Sequence, residues 1–259
     1  MTQGISKKAC IDKNVVVGSY TIIEDDVTIG TGTTIGSHVV IHNGSVIGKN
    51  NRIFSGVHIG VEPQDYHFKG EYSRCVIGDN NTIREYSTLS RATGKDRKTL
   101  IGDNNFIMTY VHIAHNDSIG SNVVIASGTQ VGGYVTIGDH ANLGGLTGIH
   151  QFSRVGAYAM LGAKSYLNQD LLPCLLAQGN RVRLYSVNTR GLDRAGFEDQ
   201  EIEAIKGLYR PLLQANIGLE KWQAGFSQAP VRDTLKEDII GFINRSKRGI
   251  LLRTAVGRQ

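Results

Sequence analysis

Aliphatic residues recur at every sixth position from Ile5 to Leu167. The series runs Ile5, Ile11, Val17 and on to Ile59, resumes at Ile77, Ile83 and Leu89, and continues from Ile101 through Ile113, Val131 and Ile149 to Leu167. Of the 28 positions in this phase, 25 hold Ile, Val or Leu; the exceptions are Asp65, Glu71 and Lys95. A period of six is neither the 3.6 of a helix nor a plain alternation of two. It is three two-residue steps, so the aliphatic residue always points to the same side of a strand. Three short strands with three corners close a triangular coil of 18 residues. Stacked coils bury columns of Ile and Val about 4.8 Å apart, as in any parallel ladder. Residues 1–167 are therefore expected to form a parallel β-helix. Gly commonly follows the aliphatic residue, as at Gly18, Gly36, Gly120 and Gly144. Gly or Asn at the corners is expected to supply positive φ there.

Two stretches break the pattern without shifting its phase, near 61–76 and 90–100. They read as polar loops expelled from the coil, where functional residues commonly sit. After Leu167 the period changes. Residues 198–216 place Ile202, Ile205, Leu208, Leu212 and Leu213 at helical spacing, with acids in the first turn and a breaker, Pro211, near the end. Residues 231–247 do the same with Val231, Leu235, Ile239, Phe242 and Ile243. Residues 168–259 are thus expected to be a connecting segment and a small helical domain that covers the open edge of the β-helix.

Composition narrows the function more than the fold. The N-terminal MTQGISKKAC has no apolar core, and no run reaches 18 apolar residues, so neither a signal peptide nor a membrane span is expected. Three scattered cysteines, Cys10, Cys75 and Cys174, fit free thiols in a reducing cytoplasm. Residues 1–167 carry 14 Lys and Arg against 13 Asp and Glu, whereas residues 168–259 carry 14 against 10. The basic C-terminal part suits an acidic partner or a phosphate-bearing ligand, or is simply a solvated surface. With 7% aromatic residues and no long basic cluster, nucleic acid is not an expected partner.

Positions 18 apart lie one above another in such a coil. His115 then stacks under Gly133 and Gln151, Ala114 under Gly132 and His150, and Asn116 under Tyr134 and Phe152. His115, Gly133, His150 and Gln151 form an outward cluster on the order of 10 Å across. A His can take a proton from a hydroxyl, and a bare backbone N–H at Gly132–Gly133 can hold an oxyanion, so the cluster suits acyl transfer. The bland alternative is that the eight His residues merely decorate the coil surface. Zinc is the competing chemistry, since carbonic anhydrases of the γ class bind it on such coils with three His. His112 and His115 are three apart, and the alternation of a strand sets them against sharing one ion, so no metal is expected. No GxSxG and no GxxxxGK[ST] occurs.

Longer motifs are more specific than the repeat: IGVEPQD at 59–65, HIAHN at 112–116, GGLTGIHQFSRVGA at 144–157, LLAQGN at 175–180 and VNTRGLDRAGF at 187–197. In these the chain resembles the UDP-N-acetylglucosamine O-acyltransferase family, which opens lipid A assembly, over nearly its whole length. The resemblance implies an all-β left-handed parallel β-helix with a small α-helical C-terminal domain. It implies a homotrimer with sites in the clefts between subunits and no cofactor, the donor being a 3-hydroxyacyl chain on the phosphopantetheine of acyl carrier protein. His115 would be the general base toward the 3-hydroxyl of UDP-N-acetylglucosamine, and the Gly133 N–H would hold the oxyanion. Asp65 would bind the sugar with His150 and Gln151, joined by His67, Lys69 and His112. Asn188 and Arg194 would meet the nucleotide or its phosphates, and the basic C-terminal part would dock acidic acyl carrier protein. Ala163 matches the position that measures acyl length, and its small side chain suggests room for a long chain.

The chain departs from the family pattern at several points. Asn116 stands where an Asp usually follows the catalytic His, with Asp117 one residue further on. Tyr134 replaces a His, His67 stands where a Lys is expected with Lys69 nearby, and Ala195 replaces a second Arg. These changes leave open an acceptor bearing a 3-amino group, or a diverged non-catalytic binding protein of the same fold.

Overall fold

The computed structural model describes residues 4–214, 217–226 and 229–252. Short strands from Gly4 to Leu167 build the three sides of a parallel β-helix. The first side holds nine strands in the order Gly4–Ile5, Ile22–Ile23, Val40–Ile41, His58–Val61, Thr88–Ser90, His112–Ile113, Gln130–Val131, Gly148–Ile149 and Tyr166–Leu167. The second side has eight strands and the third has ten, the last two of them beyond Leu167. Regular coils pair Gln130 with Gly148 and Asn142 with Met160, the 18-residue step. The step lengthens only where loops leave the coil, with His58 opposite Thr88 and Thr88 opposite His112.

The aliphatic column fills the interior. Ile29, Ile41, Ile59, Ile83, Ile107, Ile113 and Ile125 are all 0% exposed, and each such burial stabilises the fold by roughly 1.5–3 kcal/mol. Polar residues also point inward at the corners, and they are satisfied by the next coil. Asn105, for example, accepts from the Val123 N–H at 2.7 Å and donates to the Gly120 carbonyl at 2.9 Å. Cys75 and Cys174 are buried free thiols, pushed up to about 12 by burial and so poor nucleophiles.

The corners correct one expectation. Positive φ occurs at Asn14, Asn50, Asn104 and Asn122, but equally at Tyr86, Tyr110, Tyr134, His140, Leu146 and Phe152. The glycines that follow the aliphatic column mostly have ordinary φ. They are needed for close approach: a Cβ on Gly18 would lie 2.5 Å from the Gly36 carbonyl carbon, and one on Gly30 2.8 Å from Gly48. Stacked backbones leave no room there for a methyl group. Among these glycines Gly60 does have positive φ, at the exit to the first loop.

Both loops are shorter than the sequence suggested, because the sheets absorb their ends. The strands His58–Val61 and Arg74–Ile77 flank residues 62–73, and Thr88–Ser90 and Lys98–Ile101 flank residues 91–97. Beyond Leu167, strand Leu175–Gln178 continues the third side, and Arg183–Val187 pairs antiparallel to it. That hairpin covers the edge the coil would otherwise leave open.

Four α-helices follow among the described residues: α1 (Thr189–Arg194), α2 (Asp199–Leu213), α3 (Leu219–Ala224) and α4 (Asp233–Asn244). The expected 198–216 helix ends at Leu213, with Pro211 in its last turn and residues 215–216 outside the described ones. It buries Ile202, Ile205, Leu208, Tyr209 and Leu212. The expected 231–247 helix spans only α4, burying Leu235, Ile239 and Phe242. Arg154 ties α4 to the coil by donating to the Phe242 carbonyl at 2.6 Å, with its guanidinium 4.0 Å from the Phe242 ring centroid.

Candidate active site

The 18-residue step places His112 under Gln130, Gly148 and Tyr166 on the first side of the coil, and His115 at the corner beside them. A groove of about 350 Å³ runs along this face. His112, His115, Gln130, Gly133, His150 and Gln151 line it, with Gln64 reaching over from the first loop. The groove thus collects four of the expected substrate or catalytic positions besides His112. The alternation argument that separated His112 from His115 fails because a corner lies between them, and corners reset the facing of side chains. Among the described residues no group of three or more His, Cys, Asp or Glu is placed to hold a metal ion.

His115 is 8% exposed and rigidly held. Its Nδ1 lies 2.9 Å from Asn116 Oδ1. The identity of that oxygen is fixed by a second partner, because the Thr93 N–H donates to it at 2.9 Å while Asn116 Nδ2 donates to the Thr93 carbonyl at 3.0 Å. Nδ1 therefore carries the hydrogen, and Nε2 is left as a base. That Nε2 is turned to Gly133, where an added Cβ would lie only 2.6 Å from it. The Gly133 N–H donates no hydrogen bond among the described residues. Gly133 is more covered than the sequence suggested, since the imidazole lies against it.

Asp65 supplies the nearest negative charge, with Oδ2 at 3.8 Å from His115 Nδ1. Its other oxygen accepts from the His67 N–H at 3.0 Å and faces His67 Nδ1 at 3.0 Å. The His67 backbone N–H, and after it the His67 and Thr93 side chains and the His115 charge, hold the Asp65 carboxyl below the usual range against the opposing effect of burial. His112 is held below the ordinary imidazole value by burial first and by His115 second, and its Nδ1 lies 2.7 Å from the Thr88 hydroxyl. Asp117 plays no part in orienting the imidazole; it points into the coil interior, 0% exposed.

The two loops are fastened to each other beside the groove. Glu71 accepts from the Gly94 N–H at 2.6 Å and from the Lys69 N–H at 2.8 Å. Asp96 N–H donates to the Tyr72 carbonyl at 2.9 Å. Asn116 thus has two tasks, orienting His115 and anchoring the second loop through Thr93. The period marked Glu71 only as an interruption and carried no sign of Thr93, because loop residues keep no fixed spacing. Gln130, Gly148 and Tyr166 could have been found by continuing the 18-residue step from His112.

Other expected positions lie elsewhere. His67 has a side chain 90% exposed, and Lys69 is exposed; both belong to the first loop and neither lines the groove. Asn188 is buried and caps α1, its Oδ1 accepting from the Gly191 N–H at 3.2 Å and its Nδ2 donating to the Tyr158 carbonyl at 2.8 Å. Arg194 ends the same helix, exposed and away from the groove. Within one chain, then, the nucleotide positions do not meet the base. Ala163 is exposed at the opposite corner of the same face, where its backbone packs on Gly144.

Residues 170–251 match the sequence model of a family described as UDP N-acetylglucosamine O-acyltransferase, domain 2, and residues 11–43 and 98–133 match that of the bacterial transferase hexapeptide. An acyl-[acyl-carrier-protein]–UDP-N-acetylglucosamine O-acyltransferase of Thermodesulfovibrio yellowstonii is 47% identical over 95% of this chain and 96% of its own. The chain belongs to the UDP-N-acetylglucosamine O-acyltransferase family. The solved UDP-N-acetylglucosamine acyltransferase of Francisella novicida superposes with a TM-score of 0.92 at 35% identity, covering 99% of this chain and 98% of that one. The Campylobacter jejuni acyltransferase gives 0.82 at 33% identity, covering 96% and 100%. The likeness fixes the left hand of the β-helix, which the period alone does not.

Proposed function

We propose that this enzyme transfers a 3-hydroxyacyl chain from acyl carrier protein to the 3-hydroxyl of UDP-N-acetylglucosamine, the first step of lipid A biosynthesis. The observation that carries the reading is the imidazole of His115, with Nδ1 held by Asn116 and its free Nε2 turned to the groove at Gly133. Nε2 takes the proton of the sugar hydroxyl as its oxygen attacks the thioester carbonyl. The Gly133 N–H receives the oxygen of the tetrahedral intermediate. The imidazolium then formed is stabilised by Asp65 at 3.8 Å, and it returns the proton to the leaving thiolate. Asn116 keeps the tautomer, and Asp65 provides the charge; the two share the work expected of the family's single Asp.

His112, His150, Gln151 and the first-loop residues Asp65, His67 and Lys69 would bind the acceptor around this centre. Along the groove floor the Tyr166 ring lies over Gly148, where an added Cβ would be 3.1 Å from it, and the acyl chain would run past this ring with Ala163 setting its length at the far corner. Asn188 and Arg194 would reach a nucleotide only from another copy of the chain, which suits a homotrimer. The exposed ridge of Tyr86, Tyr110 and Leu146, 56%, 62% and 65% exposed, supports such an assembly. The charge balance of residues 168–259 suits docking of an acidic carrier protein. No helix among the described residues is long and apolar enough to cross a membrane, which is consistent with work in the cytoplasm.

The test is an acyl-transfer assay of purified protein with 3-hydroxyacyl carrier proteins of several lengths. UDP-N-acetylglucosamine and its 3-amino analogue serve as acceptors. Ester formation on the hydroxyl sugar is the expected result. Transfer to the amino sugar alone would replace the acceptor, and transfer to neither would remove the activity.

A further inference from the structure

Asp117 is the one carboxylate in the interior of the coil near the site, and the mechanism above does not use it. Its position in the repeat is the residue before a strand, which points inward. The same position elsewhere holds Asn51, Asn105, Thr21, Thr33 and Thr129, and their hydrogen bonds follow one rule. Asn105 Oδ1 accepts from the Val123 N–H and its Nδ2 donates to the Gly120 carbonyl at 2.9 Å. Asn51 repeats this with the Asn81 N–H at 2.8 Å and the Gly78 carbonyl at 2.9 Å. Thr21, Thr33 and Thr129 donate to the carbonyls of Gly36, Gly48 and Gly144 at 2.8–3.0 Å. In these five the recipient is the glycine carbonyl of the next coil; at the same position Ser87 donates to the Met108 carbonyl, while Asn81 Nδ2 and Ser153 Oγ have no partner.

Asp117 completes half of this pattern. Its Oδ1 accepts from the Val135 N–H at 2.8 Å, as the Asn side chains do. Its Oδ2 is buried and has no acceptor's partner. The carbonyl that the register sets opposite Oδ2 is that of Gly132, which accepts no backbone hydrogen bond among the described residues. The next atom of that peptide is the N–H of Gly133.

We infer that Asp117 is a neutral carboxylic acid whose Oδ2–H donates to the Gly132 carbonyl, and that it is a positioning residue for the peptide whose N–H faces the groove. An ionised Oδ2 would set a negative oxygen against a carbonyl oxygen, which no neighbour offsets. Burial pushes the carboxyl well above the usual range, the backbone N–H groups of Val135 and Ala114 nearby oppose this only in part, and no charged side chain acts on it. Asp65 and His115 lie on the outer face of the coil. A hydrogen bond to the carbonyl also polarises the amide and strengthens its N–H as a donor. The inference about catalysis rests on the oxyanion role of Gly133; the protonation state does not.

Two variants and one spectrum test it. Asp117→Asn keeps both hydrogen bonds, and Asp117→Val puts in a residue that the same inward position holds at Val111, Val123 and Val135. In the whole enzyme, Asp117→Val is expected to lower kcat by roughly tenfold or more with KM for the sugar nucleotide within about threefold, and Asp117→Asn to restore kcat to within about threefold. Difference infrared spectra at neutral pH should show the carbonyl stretch of a protonated carboxylic acid in the wild type that is missing from Asp117→Asn. Absence of that band, full kcat in Asp117→Val, or equal losses in both variants would overturn the inference. Undiminished transfer by His115→Ala would overturn the general-base reading instead, and leaves the infrared result standing.

Discussion

Two corners of the same coil carry paired glycines, Gly132–Gly133 and Gly144–Gly145, and the proposed function uses only one of them. Both pairs stack closely on the next coil, with a Cβ on Gly132 lying 2.9 Å from the Gln151 nitrogen and one on Gly144 crowding Ala163. The difference lies in the second glycine. A Cβ on Gly145 would meet nothing nearer than the Ser127 carbonyl oxygen at 3.2 Å, whereas one on Gly133 would strike the His115 ring at 2.6 Å. The first corner also lies beside the two expelled loops, which fasten to it through Thr93 and Asn116. The repeat thus supplies a rigid backbone frame everywhere, and chemistry arises where one imidazole and two loops are added to it.

This comparison can be broken at several points. Gly133→Ala should push the imidazole off its place and lower kcat/KM by roughly 100-fold, while Gly145→Ala should cost less than about fivefold. Similar losses in steady-state assays of both would show that the two corners do not differ in the way described. Asn116→Ala frees Nδ1 and the second loop together, and kcat should fall about tenfold, with His115 tautomers distinguishable by nitrogen NMR. Glu71→Ala unfastens the loops from each other without touching His115. It should raise the acceptor KM a few-fold and leave kcat within about twofold.

The smallest effect concerns stability. Asp117 holds a proton in the fold that the unfolded chain releases above about pH 3.9. The native state therefore loses stability relative to the unfolded one as pH rises from that value toward the folded pKa. Asp117→Asn has no such proton to keep. It should melt above the wild type at neutral pH, with the gap closing as the solution is taken toward pH 4; a gap independent of pH would contradict a raised carboxyl.

The fold was legible because a period of six sustained over 25 of 28 positions leaves no other architecture that buries the Ile and Val column. The same period placed His115, Gly133, His150 and Gln151 together by counting in steps of 18. It misassigned the glycines that follow the aliphatic column, although Gly32, Gly44, Gly56 and Gly128 do take positive φ at corners, because spacing shows where a residue lies and not whether its φ or its missing Cβ matters. Tyr134 and Phe152 show that aromatic residues also adopt positive φ there, stacked 4.9 Å apart along the corner. The loops were legible only as interruptions. Their contacts, Glu71 to Gly94 and Asn116 to Thr93, link residues 23 apart in no fixed register. Asn188 read as a ligand position from its motif, yet its amide is already engaged as the cap of α1, a task visible only once the helix is in place.

The most direct test of the central claim is the rate of transfer by His115→Ala. With 3-hydroxyacyl carrier protein and UDP-N-acetylglucosamine, kcat should fall about 1,000-fold, in the range that loss of a general base produces, with the fold unchanged by melting temperature. A loss of less than tenfold would mean that the proton is taken by another group and that the corner at Gly133 is not where the acyl chain moves.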